Sequence, residues 1–328
     1  MNQPFDLGMG DIAHVSCSIG IALYPDNGED SDELMQHADQ AMYVVKQGGR
    51  NGFCYFTQNM QQQAEEKINL THDLHGALER GELEVYYQPI IEMTNRRIEK
   101  AEALLRWHHP HRGMVSPAVF IPLAEESGLI LSIGAWVVDQ TVQAIKDWHE
   151  ATGQWIPVSV NKSPVQFARD EHMDWLQRFE QSDLPRHILT IEITEGLLLN
   201  PSTRVRDKFE LFRLHDIELS IDDFGTGYSA LSYLNQFDVD YLKIDRSFVQ
   251  NLVTDATNRA LTEAIIVMAH KLGIRTIAEG VETEEQYQLL KDFGCDYAQG
   301  FLLARPLPFS QFMERISLPS DHVPVPVP

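Results

Sequence analysis

Short apolar runs recur along most of this chain, each closed by polar or turn-forming residues. From residue 83 onward they read "LEVYYQPII", "IEKAEALLRW", "WIPVSVN", "ILTIEIT", "IELSIDDF", "VDYLKID", "IRTIAEG" and "CDYAQGF". Runs of this length, rich in Val, Ile, Leu and Tyr, predict buried strands. Between them, from the second strand on, lie longer runs with helical periodicity. In "ATNRALTEAIIVMAHKLG", Leu261, Ala264, Ile265, Met268, Ala269 and Leu272 fall on one apolar stripe and Gly273 marks the stop. In "TEEQYQLLKDFG", Thr283 and Gln286 stand at capping-box spacing. Strands alternating with helices over about 250 residues predict an α/β fold, a (β/α)8 TIM-like barrel. The first two strands are joined by "EMTNRR" alone, too short for a parallel crossover, so the first strand is expected to run antiparallel to the second.

The region before the barrel has a different pattern. "HVSCSIGIALYP" predicts a strand, a Pro/Asp/Asn/Gly turn follows, then the helical "DSDELMQHADQAMYVVKQ" and a second strand in "GGRNGFCYF". Residues 1–60 thus form a small α/β fragment, too short to bury a full core alone. Residues 61–80 are expected to hold a connecting helix and the start of the barrel domain, residues 81–316 the barrel, and the proline-rich residues 317–328 a disordered tail.

Composition narrows the function. The net charge is −22 over 328 residues, which argues against a nucleic-acid polymer as partner. Three cysteines, Cys17, Cys54 and Cys295, are scattered without a CxxC pair and read as free thiols of a reducing compartment. The N-terminus lacks the features of a signal peptide, and the most apolar stretch, "LILSIGAWVV", is too short to span a bilayer, so no membrane contact is expected from this chain itself. A cytoplasmic location follows, either free or as the cytoplasmic part of a larger membrane-anchored sensor.

In a barrel of this kind the C-terminal strand ends carry the chemistry, and the unusual polar residues gather there. Gln88 comes late in the first strand, Glu102 interrupts "KAEALLRW" and Asn161 ends "VSVN". Glu192 and Glu195 sit in "IEITEG", and Asp222 and Asp223 end the fifth strand. Lys243 and Asp245 end "YLKID", Glu279 and Glu282 end "IAEGVE", and Gln299 ends "YAQG". Any one of these is ordinarily a solvated turn or a helix cap, and Lys243 alone reads as a surface lysine. Together they place a coordinating or hydrogen-bonding residue at nearly every strand end. Glu102, Glu192, Asp222, Asp223 and Glu279, with the carbonyl of Asn161, form an all-oxygen set suited to Mg²⁺ or Mn²⁺ rather than zinc. Clustered carboxylates need compensating cations, which two dications and Lys243 would supply. The histidines of "WHHPHRG" (His108, His109, His111) lie in a Pro/Gly loop with nothing to complete a zinc site. "FGTGYSAL" lacks the spacing of a P-loop, and its glycines predict a tight or mobile turn beside the acids.

The runs "EALLRW", "VNKS", "IEITE", "IDDFGTGYSAL", "YLKIDRSFV", "IAEGVE" and "AQGFLLARP", in this order, resemble the pattern of EAL-domain phosphodiesterases over about residues 66–316. The resemblance implies metal-dependent hydrolysis of the bacterial messenger cyclic di-GMP to linear pGpG, with two Mg²⁺ or Mn²⁺ ions per active site. It implies Glu102, Asn161, Glu192 and Asp222 as ligands of one ion, and Asp222, Asp223 and Glu279 as ligands of the other. Lys243 would orient or deprotonate the attacking water, and Glu195 would steady the Gly225–Thr226–Gly227 loop. Gln88, Leu104, Arg106, Asp245, Glu282, Gln299 and Pro306 would contact the substrate. A homodimer is implied as well. Lys162, in "VNKS", fills a slot that is often apolar in the family. The alternative to an enzyme is a non-catalytic cyclic di-GMP receptor, against which the complete ligand set argues. Residues 1–60 resemble the C-terminal part of a GGDEF (diguanylate cyclase) domain, without the signature or the nucleotide-binding half, and are therefore expected to be catalytically inert.

Overall fold

The computed structural model describes residues 5–6, 12–13, 15–169, 173–199, 202–225, 234 and 237–317. The expected tail lies beyond them from residue 318. The chain divides into two compact units, Met1–Gly76 and Ala77–Pro328.

In the first unit, strands Ser18–Ile21 and Gly52–Tyr55 pair in parallel, as a crossover through the helix Ser31–Gln47 requires. Asp30 caps that helix by accepting from the backbone N–H groups of Asp32 and Glu33. The helix lies against the first strand so closely that a Cβ at Gly20 would stand 1.8 Å from the Ala38 carbonyl oxygen. Ile19, Phe53 and Tyr55 remain exposed. A helix, Gln58–Ala77, follows.

In the second unit the eight expected strands close into a ring: β1 (Leu83–Glu92), β2 (Ile98–His109), β3 (Val158–Asn161), β4 (Leu189–Thr194), β5 (Glu218–Phe224), β6 (Tyr241–Ile244), β7 (Arg275–Ala278) and β8 (Tyr297–Ala298). Strands β2 to β8 run parallel, while β1 is antiparallel to both β2 and β8. The five-residue link between β1 and β2 enforces that reversal. Helices cover the outside. The capping box at Thr283 and Gln286 is formed, opening the helix Glu284–Asp292.

The helix Ala256–Lys271 departs from its sequence reading. Its buried residues are Thr262, Ile266 and Ala269, whereas Leu261 is 45% exposed and Leu272 also faces outward. The apolar stripe expected to meet the core is turned partly to solvent. Thr262 is tolerated inside because its hydroxyl donates to the Asn258 carbonyl one turn earlier.

Lys100 and Lys162 are two of the buried lysines of the barrel unit. At its N-terminal end, Lys100 Nζ donates to Glu218 Oε2 and Thr190 Oγ1, each at 3.1 Å, and lies 3.6 Å from the centroid of the Tyr241 ring. Arg275 completes this floor with a 2.9 Å hydrogen bond to Glu218 Oε1. Burial pushes the Lys100 ammonium down to about 8 in spite of Glu218. Lys162 has weaker support: its Nζ donates to the Gly134 carbonyl at 3.4 Å and sits 4.5 Å from the Trp175 centroid, and burial pushes it down to about 7. Lys162→Met keeps the stem packing and removes the buried charge. It is expected to stabilise the chain by about 1–2 kcal/mol, seen as a Tm a few degrees higher in a thermal melt. A lower Tm would show that the ammonium contributes more than its burial costs.

Candidate active site

The strand register assembles the site. Glu102 on β2 lies opposite Gln88 on β1, and Asn161 on β3 opposite Glu192 on β4. Side chains two apart on a strand share a face, so Glu102 stands one layer above Lys100. Because β1 is antiparallel, Gln88 reaches this layer from mid-strand, not from a C-terminal end as the general rule suggested.

Lys243 is the centre of the arrangement. It is 1% exposed, which rules out a surface role. Its Nζ lies 2.7 Å from Glu279 Oε1, 2.8 Å from Glu192 Oε2, 3.2 Å from Asp222 Oδ1 and 3.4 Å from Glu102 Oε2. Glu102 is oriented by 2.7 Å hydrogen bonds from Asn161 Nδ2 and Gln299 Nε2. Gln299 Nε2 also donates to Gln88 Oε1 at 2.9 Å, and Gln88 Nε2 donates to the Ala304 carbonyl at 3.0 Å.

One ammonium does not balance this many carboxylates, and protons make up the difference. Burial, with Glu102 and Asp222 nearby, holds the Glu192 carboxyl well above the usual range. Burial pushes Glu279 up to about 8 against the pull of Lys243. For Glu102 burial opposes ionisation, but Lys243 and the two amide donors outweigh it and the pKa falls. Burial also works against the charge on Lys243, yet the carboxylates around it raise its pKa well above the ordinary value.

Asp222 and Asp223 point differently. Asp223 has φ +56°, left-handed for a non-glycine residue, and its N–H donates to Asp222 Oδ1 at 3.0 Å. One carboxylate oxygen from each of Asp222, Asp223 and Glu279 lies within 4.8 Å of the others, a spacing suited to a cation. Among the described residues Glu192 Oε1 is buried without a hydrogen-bond partner, and such a carboxylate oxygen beside Asn161 and Glu102 fits a hard divalent ion. The residues present therefore fit the ions that the sequence implies.

Glu195 is buried, and its Oε2 accepts from the Gly225 N–H at 3.0 Å. Gly225 has φ +95°, and a Cβ there would stand 2.8 Å from the Phe248 ring, so glycine is required. Thr226 and Gly227 of that loop lie outside the described residues.

A cavity of about 200 Å³ opens beside the cluster. Of the expected substrate contacts, Gln88, Leu104, Glu282 and Gln299 line it, together with Glu102 and Glu279. Arg106, Asp245 and Pro306 are not among its walls. Arg106 Nη1 donates to the Leu105 carbonyl, and Asp245 caps the helix Arg246–Gln250 through the Ser247 N–H. The cavity also includes Arg246 and Phe301, which the sequence reading did not select. Arg246 follows the strand-end Asp245 directly, and Phe301 follows "AQG", so proximity to those motifs was the available signal. His108 and His109 lie at the end of β2 and not in the expected loop, and among the described residues the histidines of "WHHPHRG" form no metal cluster.

Comparison with known proteins agrees with this geometry. Residues 71–306 match the family described as EAL domain, and residues 2–52 match Diguanylate cyclase, GGDEF domain. The chain is 40% identical over 319 residues to the "Bifunctional diguanylate cyclase/cyclic di-GMP phosphodiesterase MucR" of Pseudomonas aeruginosa, covering 97% of this chain and 46% of that protein. It is 37% identical to the "Cyclic di-GMP phosphodiesterase PdeR" of Escherichia coli, over 95% of this chain and 47% of that one. It thus spans about half the length of these curated relatives. Among solved structures, "PaMucR Phosphodiesterase, c-di-GMP complex" superimposes with TM-score 0.71 at 39% identity, over 74% of this chain and 99% of that chain. The EAL domain of Mycobacterium smegmatis DcpA gives 0.62 at 34% identity, over 72% and 97%. With its barrel, its strand-end acids and this match, the chain belongs to the EAL-domain family.

Proposed function

We propose that this chain hydrolyses cyclic di-GMP to linear pGpG, using two divalent cations at the C-terminal mouth of the barrel. The observation that carries this reading is the carboxylate cluster around Lys243, with an orphaned Glu192 oxygen and the Asp222–Asp223–Glu279 grouping. Glu102, Asn161, Glu192 and Asp222 would hold one Mg²⁺ or Mn²⁺, and Asp222, Asp223 and Glu279 the other. Bound cations of this kind polarise phosphate and make water nucleophilic at neutral pH.

The chain's own residues do the rest. Gln299 orients Glu102 and is itself held by Gln88. Glu195 fixes the backbone at Gly225, next to the two aspartates. Lys243 is held protonated by the carboxylates around it; with cations answering those charges, burial would dominate and its Nζ would accept the water proton. The water oxygen bonds to phosphorus as the bond to the ribose 3′-oxygen breaks, and that oxygen takes a proton from solvent. Leu104, Glu282, Arg106, Asp245 and Pro306 contact the dinucleotide, Arg106 through its guanidinium to phosphate.

We place the protein in the cytoplasm on the strength of its three unpaired cysteines. Among the described residues no helix is long and apolar enough to cross a membrane. A second copy of the chain is the expected protein partner, and Leu261 and Leu272, on the helix that packs beside Gly225, offer an apolar surface for it.

Hydrolysis tests the reading. Purified chain with cyclic di-GMP and Mg²⁺ or Mn²⁺ should form pGpG, and chelator should stop it. Tight binding without product would instead identify a receptor.

A pH dependence follows. Glu279 is protonated in the fold up to about pH 8, whereas in the unfolded chain it ionises near 4.5. The folded state thus holds the extra proton between these values, and this group's contribution to stability is lost as pH rises through that window in chelator. Mg²⁺ competes with the same proton, so it should raise Tm more at about pH 8.5 than at about pH 6. An equal gain at both, read by differential scanning fluorimetry, would contradict the placement of Glu279 at the ion.

A further inference from the structure

The proposed substrate carries two phosphates, and the cluster around Lys243 accounts for one of them. Arg106, the guanidinium already proposed to meet phosphate, is not among the walls of the cavity next to the cluster, and the carboxylates Glu102, Glu279 and Glu282 are, so the second phosphate calls for a further cation there. Among the described residues lining it, Arg246 is the one cation.

Arg246 is seated, not draped. Its stem lies across the backbone of Gly280, where a Cβ would stand 2.5 Å from Arg246 Cγ. Gly280 has φ +67°, so both the conformation and the space call for glycine. The guanidinium is 54% exposed and lies 3.3 Å from Glu282 Oε1. With its amide oxygen turned inward, Gln250 accepts from Arg246 Nε and Nη2, each at 2.6 Å. An exposed ion pair at 3.3 Å is weak. A phosphate taking the place of Glu282 beside Nη2 offers a stronger, charge-assisted contact while Gln250 keeps Nε. The stem stays anchored on Gly280 while the head group exchanges Glu282 for the ligand.

We propose that Arg246 binds the non-scissile phosphate of the dinucleotide and so selects ligands with two phosphodiesters. This rests on the reading of the cavity as a cyclic di-GMP site.

The test is a two-by-two comparison of dissociation constants by calorimetry in chelator. Wild type and Arg246→Gln are each titrated with cyclic di-GMP and with an analogue in which both linkages are uncharged methylphosphonates. Loss of a charge-assisted contact should weaken cyclic di-GMP binding by about tenfold or more in Arg246→Gln. The same substitution should weaken the analogue by less than about twofold, because the phosphate charge it answers is gone. Arg246→Lys should fall between wild type and Arg246→Gln for cyclic di-GMP, and it scores the proposal if the glutamine variant misfolds. Equal losses on both ligands, or no loss on either, overturn it. Normal coupling in a chain that forms no pGpG would retain Arg246 and reject hydrolysis, whereas a wild type that does not bind cyclic di-GMP rejects both.

Discussion

Asp222→Asn should reduce cyclic di-GMP hydrolysis by more than about 10³-fold while leaving the barrel folded. Asp222 belongs to both proposed ion sites, and an amide keeps its shape but removes one anionic ligand from each. In the absence of metal the same change relieves a repulsion. Asp222 is one of four carboxylates crowded on Lys243, and three remain to pair with the ammonium after substitution. In chelator the variant should therefore melt at or above the wild-type temperature, and Mg²⁺ should raise its Tm far less than it raises that of the parent. Loss of activity with stability kept or gained is the signature of a residue retained for chemistry at the expense of the fold. Near-parental turnover would remove Asp222 from the ion sites. A much lower Tm in chelator would mark it as structural.

Lys243→Met should give the opposite stability profile. The substitution leaves Glu102, Glu192, Asp222 and Glu279 without the cation they surround. Removing one partner from a buried ionic group typically costs about 3–5 kcal/mol, softened here by further protonation of the acids. In chelator the variant should melt well below wild type, most clearly at high pH, where those protons are lost. Mg²⁺ should restore much of the difference, because cations take over the balancing of charge. Turnover should stay down by about 10²–10⁴-fold even when metal is bound, the range for loss of a positioned proton acceptor. Full activity in Lys243→Met, with Mg²⁺ at saturation, would exclude Lys243 from the proton transfer.

The barrel was legible because its signals are local. Each strand is a short apolar run, and the five residues between β1 and β2 force the antiparallel start. The carboxylates stood out for the same reason: Glu102, Glu192, Asp222 and Glu279 interrupt or end runs that otherwise bury only apolar groups. What stayed hidden depends on pairing across long stretches of chain. That Gln88 meets Glu102 and Gln299 follows from β1 closing the ring between β2 and β8, a register no local pattern encodes. The floor formed by Lys100, Glu218 and Arg275 joins β2, β5 and β7, and each residue alone resembles an ordinary charge near a strand start. The helix Ala256–Lys271 shows the limit of periodicity: six positions formed a stripe, but the rotation that buries Thr262, Ile266 and Ala269 is set by packing against the barrel. Arg246 was overlooked because a cation beside a capping aspartate reads as surface, and only the seat over Gly280 brings it to the cavity.

The central claim is that the acids at the barrel mouth are a divalent-cation site. Its most direct test is calorimetric titration of Mn²⁺ into the metal-free chain and into Asp222→Asn at about pH 8, where Glu279 begins to release its proton. Two ions should bind to the wild type, with protons released as they bind, and neither site should fill at comparable concentrations in the variant. Equal Mn²⁺ binding by both chains, or none by the wild type, would contradict it.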